Sequence, residues 1–338
     1  MFRWNTNHLW PTCKLFLNIA VLVLFTACTL YVPYQEMPDL TGKLTERYFI
    51  APGGATLPLR RFEVARPKAM VIAVHGFNDY GMAFASTAKF LNSKQISVIA
   101  YDQRGFGEAP NQGNWPGAAT LVQDLRALTN AVKEQYPKTP LYILGDSMGG
   151  GVSLLASTEE NSLPADGVIL VAPAVWGRTA MNPLQVMALW FSAHTMPWLS
   201  LSGKHLDLKP SDNMEMLRAL AADRLVQKEA RTDKLFGMTD LMDAALAAAP
   251  KIKMPTLILY GAHDDIIPKS ALRAMTRALP ENDKWQFIWY DNGYHMLLRD
   301  LQAENVHQDI WAFIEGKTAI KNPRGRVYTE SNRKEIPL

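Results

Sequence analysis

The chain has 338 residues, 48% hydrophobic and 20% charged, with a formal net charge of +3. This balance suits one large globular domain with a sizeable core. The near-neutral charge, with no lysine-rich block or basic helix in the body, points away from a nucleic-acid partner.

In chain order, the first feature is an apolar run. Residues 15–27 read LFLNIAVLVLFTA behind Arg3 and Lys14. A basic flank, a short apolar stretch and small residues form the pattern of a secretory signal. Cys28 follows Thr26 and Ala27, as the lipidated cysteine of a bacterial lipoprotein follows small residues, although Phe25 stands where Leu is usual. An uncleaved membrane helix competes, because residues 15–32 make 18, near the lower limit for crossing a bilayer. A buried helix of the globular part is the third reading. In either anchored case the basic flank stays cytoplasmic and the body lies outside the cytoplasm, associated with a membrane. The division expected is a signal or anchor over 1–32, with Cys28 as candidate lipidation site, then a linker over 33–43. The only cysteines, Cys13 and Cys28, both precede the globular part, so that part has no disulfide and no cysteine metal ligand.

Residues 44–316 alternate between apolar and amphipathic runs. Residues 45–64 suggest an antiparallel edge hairpin. AMVIAV (69–74), ISVIAY (96–101), 141–144, 167–171 and 256–260 are short, largely apolar runs and predict fully buried strands. KWQFIWY (284–290) alternates and predicts a more peripheral strand. Helical spacing of Leu121, Leu125, Leu128 and Val132 predicts a helix over 118–134. Further helices are expected at 148–157, 271–279 and 301–314. Strands alternating with helices imply an α/β fold, a mainly parallel central sheet with helices on both faces. Residues 175–250 interrupt the rhythm. They are rich in Met, Trp, Leu and Ala, contain no convincing strand, and predict a helical cap insertion. The tail, 317–338, is basic and polar and is expected to be mobile.

The strongest single signal is Gly145-Asp146-Ser147-Met148-Gly149-Gly150, which follows a predicted strand and opens a predicted helix. This is the G-x-S-x-G nucleophile elbow in its proper context. The turn is tight enough to require glycine at 145 and 149, and it lifts the Ser147 oxygen to a helix N-terminus that favours negative charge. A serine hydroxyl needs a base. Asp264 and His295 follow later strands in the order acid, then histidine. Asp264 stands just past a strand end, where catalytic groups gather in open α/β sheets. Its neighbour Asp265 reads as a helix cap before Pro268. His295 serves as general base toward Ser147 and then as general acid toward the leaving group. Four further histidines, His8, His194, His205 and His307, read as surface or packing residues. Acyl transfer also needs fixed N–H donors for a tetrahedral oxyanion. One is the backbone N–H of Met148, and the second is assigned to Phe77, in the loop after AMVIAV. His75 reads as a loop brace.

VIAVHGFNDYG, YDQRGFG, GDSMGG, LYGAHDDIIP and DNGYHMLL together resemble the monoglyceride lipase and lysophospholipase group of α/β-hydrolases, often grouped under serine aminopeptidase-like names. The resemblance spans about residues 46–315, with the motifs in family order. It implies the α/β-hydrolase fold, Ser147, Asp264 and His295 as triad, and Phe77 and Met148 as oxyanion donors. It implies no metal and no organic cofactor. Asp102, Arg104 and Gly107 match a structural loop. Family members commonly carry Ser after that last glycine, whereas Glu108 stands here. The expected activity is hydrolysis of carboxylic esters of lipids, monoacylglycerol or lysophospholipid, through an acyl-enzyme on Ser147. Acyl transfer, or thioester or peptide cleavage, by the same triad stays open, as does an inactive tethered binding protein. Within the cap, Met187, Trp190 and Phe191 are candidates to line an acyl site, since Met adapts to irregular shapes. They could equally pack the cap onto the domain.

Overall fold

The computed structural model describes residues 41–159, 163–203, 208–316 and 325–338. The expected signal or anchor with Cys28, most of the linker, His205 and the first part of the tail lie outside the described residues.

Twelve strands are described: β1 (Lys43–Leu44), β2 (Tyr48–Ile50), β3 (Thr56–Phe62), β4 (Ala69–Val74), β5 (Ile96–Tyr101), β6 (Leu141–Asp146), β7 (Gly167–Val171), β8 (Ser200–Ser202), β9 (Glu229–Arg231), β10 (Thr256–Gly261), β11 (Trp285–Tyr290) and β12 (Gly325–Tyr328). Eight α-helices join them: α1 (Ala85–Ser93), α2 (Ala118–Gln135), α3 (Met148–Thr158), α4 (Pro183–Thr195), α5 (Met214–Ala222), α6 (Thr232–Ala248), α7 (Lys269–Ala278) and α8 (Ala303–Ile314). Ten of the described strands form one sheet in the order β1-β2-β3-β5-β4-β6-β7-β10-β11-β12. The run from β5 to β11 is parallel, with antiparallel β1–β3 at one edge and antiparallel β12 at the other. This is the α/β-hydrolase architecture.

Every residue of β4, β5, β7 and β10 is buried, because the sheet is covered on both faces. Successive side chains point to opposite faces. Met70, Ile72 and Val74 therefore join one core with Leu121, Leu125 and Leu128 of α2, Val152 of α3 and Leu272 of α7. Ala69, Val71 and Ala73 join the other, with Ala88 and Leu91 of α1 and Val306 and Ile310 of α8.

Three expectations are qualified by the fold. First, β11 is the outermost of the parallel strands, as a peripheral strand should be, but β12 covers its outer edge and five of its six residues are buried. Second, the end of the tail is built into the fold. β12 pairs antiparallel with β11, and Tyr328 and Ile336 are buried. The Arg333 guanidinium lies 5.2 Å from the Trp285 ring centroid and donates to the Pro280 carbonyl at 2.8 Å. A four-residue strand held by backbone pairing along a sheet edge has too short a pattern to read. Third, the cap contains strands as well as helices. β8 pairs with β9 beside α4, α5 and α6.

Candidate active site

The polar groups of interest gather at the C-terminal ends of the parallel strands. The chain steps from β4 to β5 on one side and then to β6 on the other, so β4 and β6 flank the topological switch where open α/β sheets form their crevice. Ser147 follows β6, the loop beginning at His75 follows β4, Asp264 follows β10 and His295 follows β11.

Ser147 has φ 50° and ψ −112°, a strained conformation for a residue with a Cβ. The strain is tolerated because its neighbours over-determine it. Its N–H donates to the Val171 carbonyl at 2.9 Å, and its carbonyl accepts from Ala174 at 2.9 Å and Gly151 at 3.1 Å. The turn also needs space. A Cβ on Gly149 would run into the Val74 carbonyl, and one on Gly145 would meet the Gly149 carbonyl and the Ser153 hydroxyl. Both glycines therefore stand where the turn presses α3 against β4 and β6.

His295 Nε2 lies 3.0 Å from Ser147 Oγ, and its Nδ1 lies 2.8 Å from Asp264 Oδ2. Asp264 Oδ1 accepts from the N–H groups of Ile266 and Ile267 at 2.8 and 2.9 Å. Both oxygens are thus engaged, which fixes the carboxylate plane and leaves Nδ1 carrying the proton that faces Oδ2. Burial disfavours the imidazolium of His295, but the charge and hydrogen bond of Asp264 outweigh it, with Asp146 adding and Arg299 opposing. Its pKa therefore lies above the ordinary value. The three sequence-predicted residues meet as a relay, with the half-buried hydroxyl at its open end. Asp265 caps nothing; the residue preceding α7 is Pro268, without a side-chain cap.

Met148 begins α3, where first-turn N–H groups lack helical acceptors. The β4 loop passes beside the nucleophile: a Cβ on Gly76 would stand 3.4 Å from Ser147 Cβ. Phe77 comes next, its ring 5.8 Å from that of Phe106, edge to face. His75 is fully buried and neutral, since burial holds its pKa low. Its Nδ1 lies 2.8 Å from the Gly76 carbonyl, and its Nε2 accepts from Gln103 N–H at 3.0 Å, so it braces two loops at once.

Three groups at or near the relay and its loop had no distinct sequence signal. Asp146 is buried beside Ser147, with Oδ1 lacking a partner. Burial, opposed by Arg299 and His295, pushes its pKa up to about 6. Arg299 pairs with Asp79 at 2.6 Å, a contact across 220 positions that no local pattern announces. Lys234, in the cap helix α6, is fully buried against the β4 loop.

The candidate acyl-site residues lie on an exposed helix. Met187, Trp190 and Phe191 are 62%, 52% and 55% exposed, and α4 has no buried residue. Met187 and Trp190 line an open hollow of about 440 Å³ with Arg178, Met181, Pro183 and Val186, while Phe191 lies outside it. Because α4 is apolar nearly all round, its sequence cannot tell which side faces the domain. An Asn182–Gln185 capping box starts it, and Thr232 Oγ1 of α6 donates to the Met196 carbonyl after its end.

The model of the family described as "Serine aminopeptidase, S33" matches residues 65–302. The chain is 25% identical over 302 residues to the monoglyceride lipase of Rattus norvegicus, covering 87% of this chain and 95% of that one. Among solved structures, it is similar to a soluble variant of monoglyceride lipase from Saccharomyces cerevisiae in complex with a substrate analog. That likeness has a TM-score of 0.67 at 19% identity, over 85% of this chain and 99% of that one. It is also similar to the monoacylglycerol lipase of Paleococcus ferrophilus, with a TM-score of 0.65 at 22% identity, over 78% of this chain and 99% of that one.

Proposed function

The chain belongs to the serine aminopeptidase S33 family of α/β-hydrolases, and on that premise we propose that it hydrolyses carboxylic esters of lipids, foremost monoacylglycerol and then lysophospholipid, at a membrane. The observation that carries the reading is the Ser147–His295–Asp264 relay, with 3.0 and 2.8 Å contacts at the strand ends.

In this mechanism Ser147 Oγ attacks the ester carbonyl carbon while His295 Nε2 takes its proton. The carbonyl oxygen becomes an oxyanion held by the N–H groups of Met148 and Phe77. The intermediate collapses by breaking the bond to the alcohol oxygen, which leaves with the proton from His295, and the acyl group stays on Ser147. Water, deprotonated by His295, then attacks the acyl-enzyme and releases the carboxylic acid, restoring the serine. Asp264 keeps the imidazole in the tautomer that presents Nε2 as acceptor and stabilises the imidazolium.

A lipid substrate is supported by the cap. Leu184, Met187, Trp190, Phe191, Trp198 and Met214 are each more than half exposed, an unusual density of apolar side chains facing solvent. Such a surface suits contact with a lipid aggregate. Tethering through residues 1–32, by lipidated Cys28 or an uncleaved helix, belongs to the same proposal and puts the body outside the cytoplasm beside its substrate.

The test is hydrolysis by the full chain of p-nitrophenyl esters from acetyl to palmitoyl, of monoacylglycerol and of lysophosphatidylcholine, with Ser147→Ala as control. Turnover of long-chain glycerol esters, lost in S147A by at least ~10³-fold, is the expected result. Turnover confined to short esters discards the lipid substrate. Folded protein without activity on any ester overturns the reading in favour of acyl transfer, thioester or peptide cleavage, or binding alone.

A further inference from the structure

We propose that Lys234, a residue of the cap, is the positioning residue of the oxyanion loop, holding Asn78 and through it the Phe77 N–H in register with Ser147. The inference rests on the ester-hydrolase reading above and deepens it: the cap becomes part of the machinery that sets the transition-state donors.

A fully buried lysine is rare, and the surroundings of this one are unusual. Lys234 Nζ donates to Asn78 Oδ1 at 3.0 Å and to Gln227 Oε1. It faces the ring of Phe106 at 3.9 Å from the centroid and that of Phe77 at 4.8 Å. Two amide oxygens and two ring faces are all neutral. The carboxylate next in sequence, Asp233, pairs instead with Arg231 at 2.6 Å. Stripping an ammonium of water for neutral acceptors opposes folding, so a methionine of similar length would serve stability at least as well. Burial accordingly pushes Lys234 down to about 7. The buried amine is explained by what it holds.

What it holds is Asn78. This residue has φ 64°, a left-handed conformation less favourable for a residue with a Cβ than for glycine. It is gripped twice from the cap: Lys234 takes its side chain, and Gln227 N–H donates to its carbonyl at 2.9 Å. Gln227 in turn donates through Nε2 to the Gly105 carbonyl at 2.8 Å, anchoring the grip to the β5 loop. On the far side Asp79 is pinned by Arg299. Phe77 therefore sits between Gly76, against Ser147, and a residue whose backbone angle the cap enforces. If Lys234 lets go, Asn78 relaxes toward negative φ and the Phe77 N–H swings. A misplacement of about 1 Å at an oxyanion donor can cost ~100-fold in rate.

The experiment uses Lys234→Met in the full chain, assayed on the best ester, with reactive sites counted by fluorophosphonate labelling. The expected result is kcat per labelled site reduced ~10- to 100-fold with KM within ~3-fold. Affinity for a trifluoromethyl ketone, whose alkoxide adduct occupies the oxyanion site, should fall by the same factor as kcat/KM. A merely structural lysine would lower the melting temperature and leave both quantities unchanged per labelled site. Should K234M fail to fold, Asn78→Ala replaces it: alanine keeps the cost of the 64° angle but offers Lys234 no acceptor, and the same losses are expected. Wild-type kcat and inhibitor affinity in either folded variant overturn the positioning role. A wild-type chain without activity on any ester overturns the function itself and this role with it.

Discussion

At the scale of single residues, the division of labour within Asp264 matters most. Oδ1 is spent on two backbone N–H donors and Oδ2 on the imidazole, so the carboxylate cannot rotate away. Asp264→Asn keeps the shape and the two backbone contacts but presents an amide to Nδ1. The imidazole then turns its proton toward Ser147, and kcat should fall about 10⁴-fold. The same change removes the charge that raises the His295 pKa. A base must be neutral to act, so activity rises with pH through the histidine pKa. In wild type the acid limb of kcat/KM therefore lies above the ordinary 6.5, and in D264N it moves to lower pH. Steady-state rates from pH 5 to 9 check both; an unmoved limb would deny Asp264 its electrostatic role. Glu108, where relatives of this kind often carry Ser, accepts from Arg60 at 2.6 Å while its own N–H donates to Asp102 at 2.9 Å. The departure is absorbed as an ion pair with β3.

At the scale of elements, the outer strand β12 carries the clearest consequence. It covers the edge of β11 and brings Tyr328 and Ile336 into contact with the core. Burying two such side chains contributes about 2 kcal/mol each. Deleting residues 325–338 should lower the melting temperature by ~5–10 °C and leave an exposed, largely apolar strand edge that promotes aggregation. Thermal scans with light scattering would show this, and a truncated chain melting with wild type would contradict it. The cap helices illustrate a different limit. In α6 the pattern yields a helix, but only the fold shows that Lys234 points inward to Asn78. In α4 an almost uniformly apolar surface hides the orientation altogether, so the exposure of Met187, Trp190 and Phe191 is visible only in the fold.

At the scale of the whole molecule, the sheet carries two cores, and the smaller one is sealed by α1 against α8. His307 of α8 sits inside that seam, its Nε2 3.0 Å from Thr87 Oγ1 of α1 and 3.2 Å from the Leu298 carbonyl. Burial depresses its pKa from 6.5 to about 4. Unfolding frees the histidine to take a proton, so between those pH values the unfolded state binds more protons. Its contribution to stability is thus present above pH 6.5 and lost as pH falls toward 4. Urea midpoints measured across this window should fall less steeply in His307→Gln than in wild type. Equal slopes would mean the histidine is not coupled to folding.

The sequence alone determined the parallel strands, the elbow and the order of Ser147, Asp264 and His295, because each rests on local physics. Buried strands need continuous apolar runs, a tight strand-to-helix turn needs glycine, and strand ends are marked by the residues that follow them. The family match over residues 65–302 rests on the same local motifs. Only the tertiary structure decided which side of α4 meets solvent, that the chain's end returns as β12, and that Lys234, Gln227 and Arg299 converge on residues 78 and 79. Those outcomes depend on contacts between positions far apart in the chain, where neither spacing nor composition carries information and only close packing selects the partner.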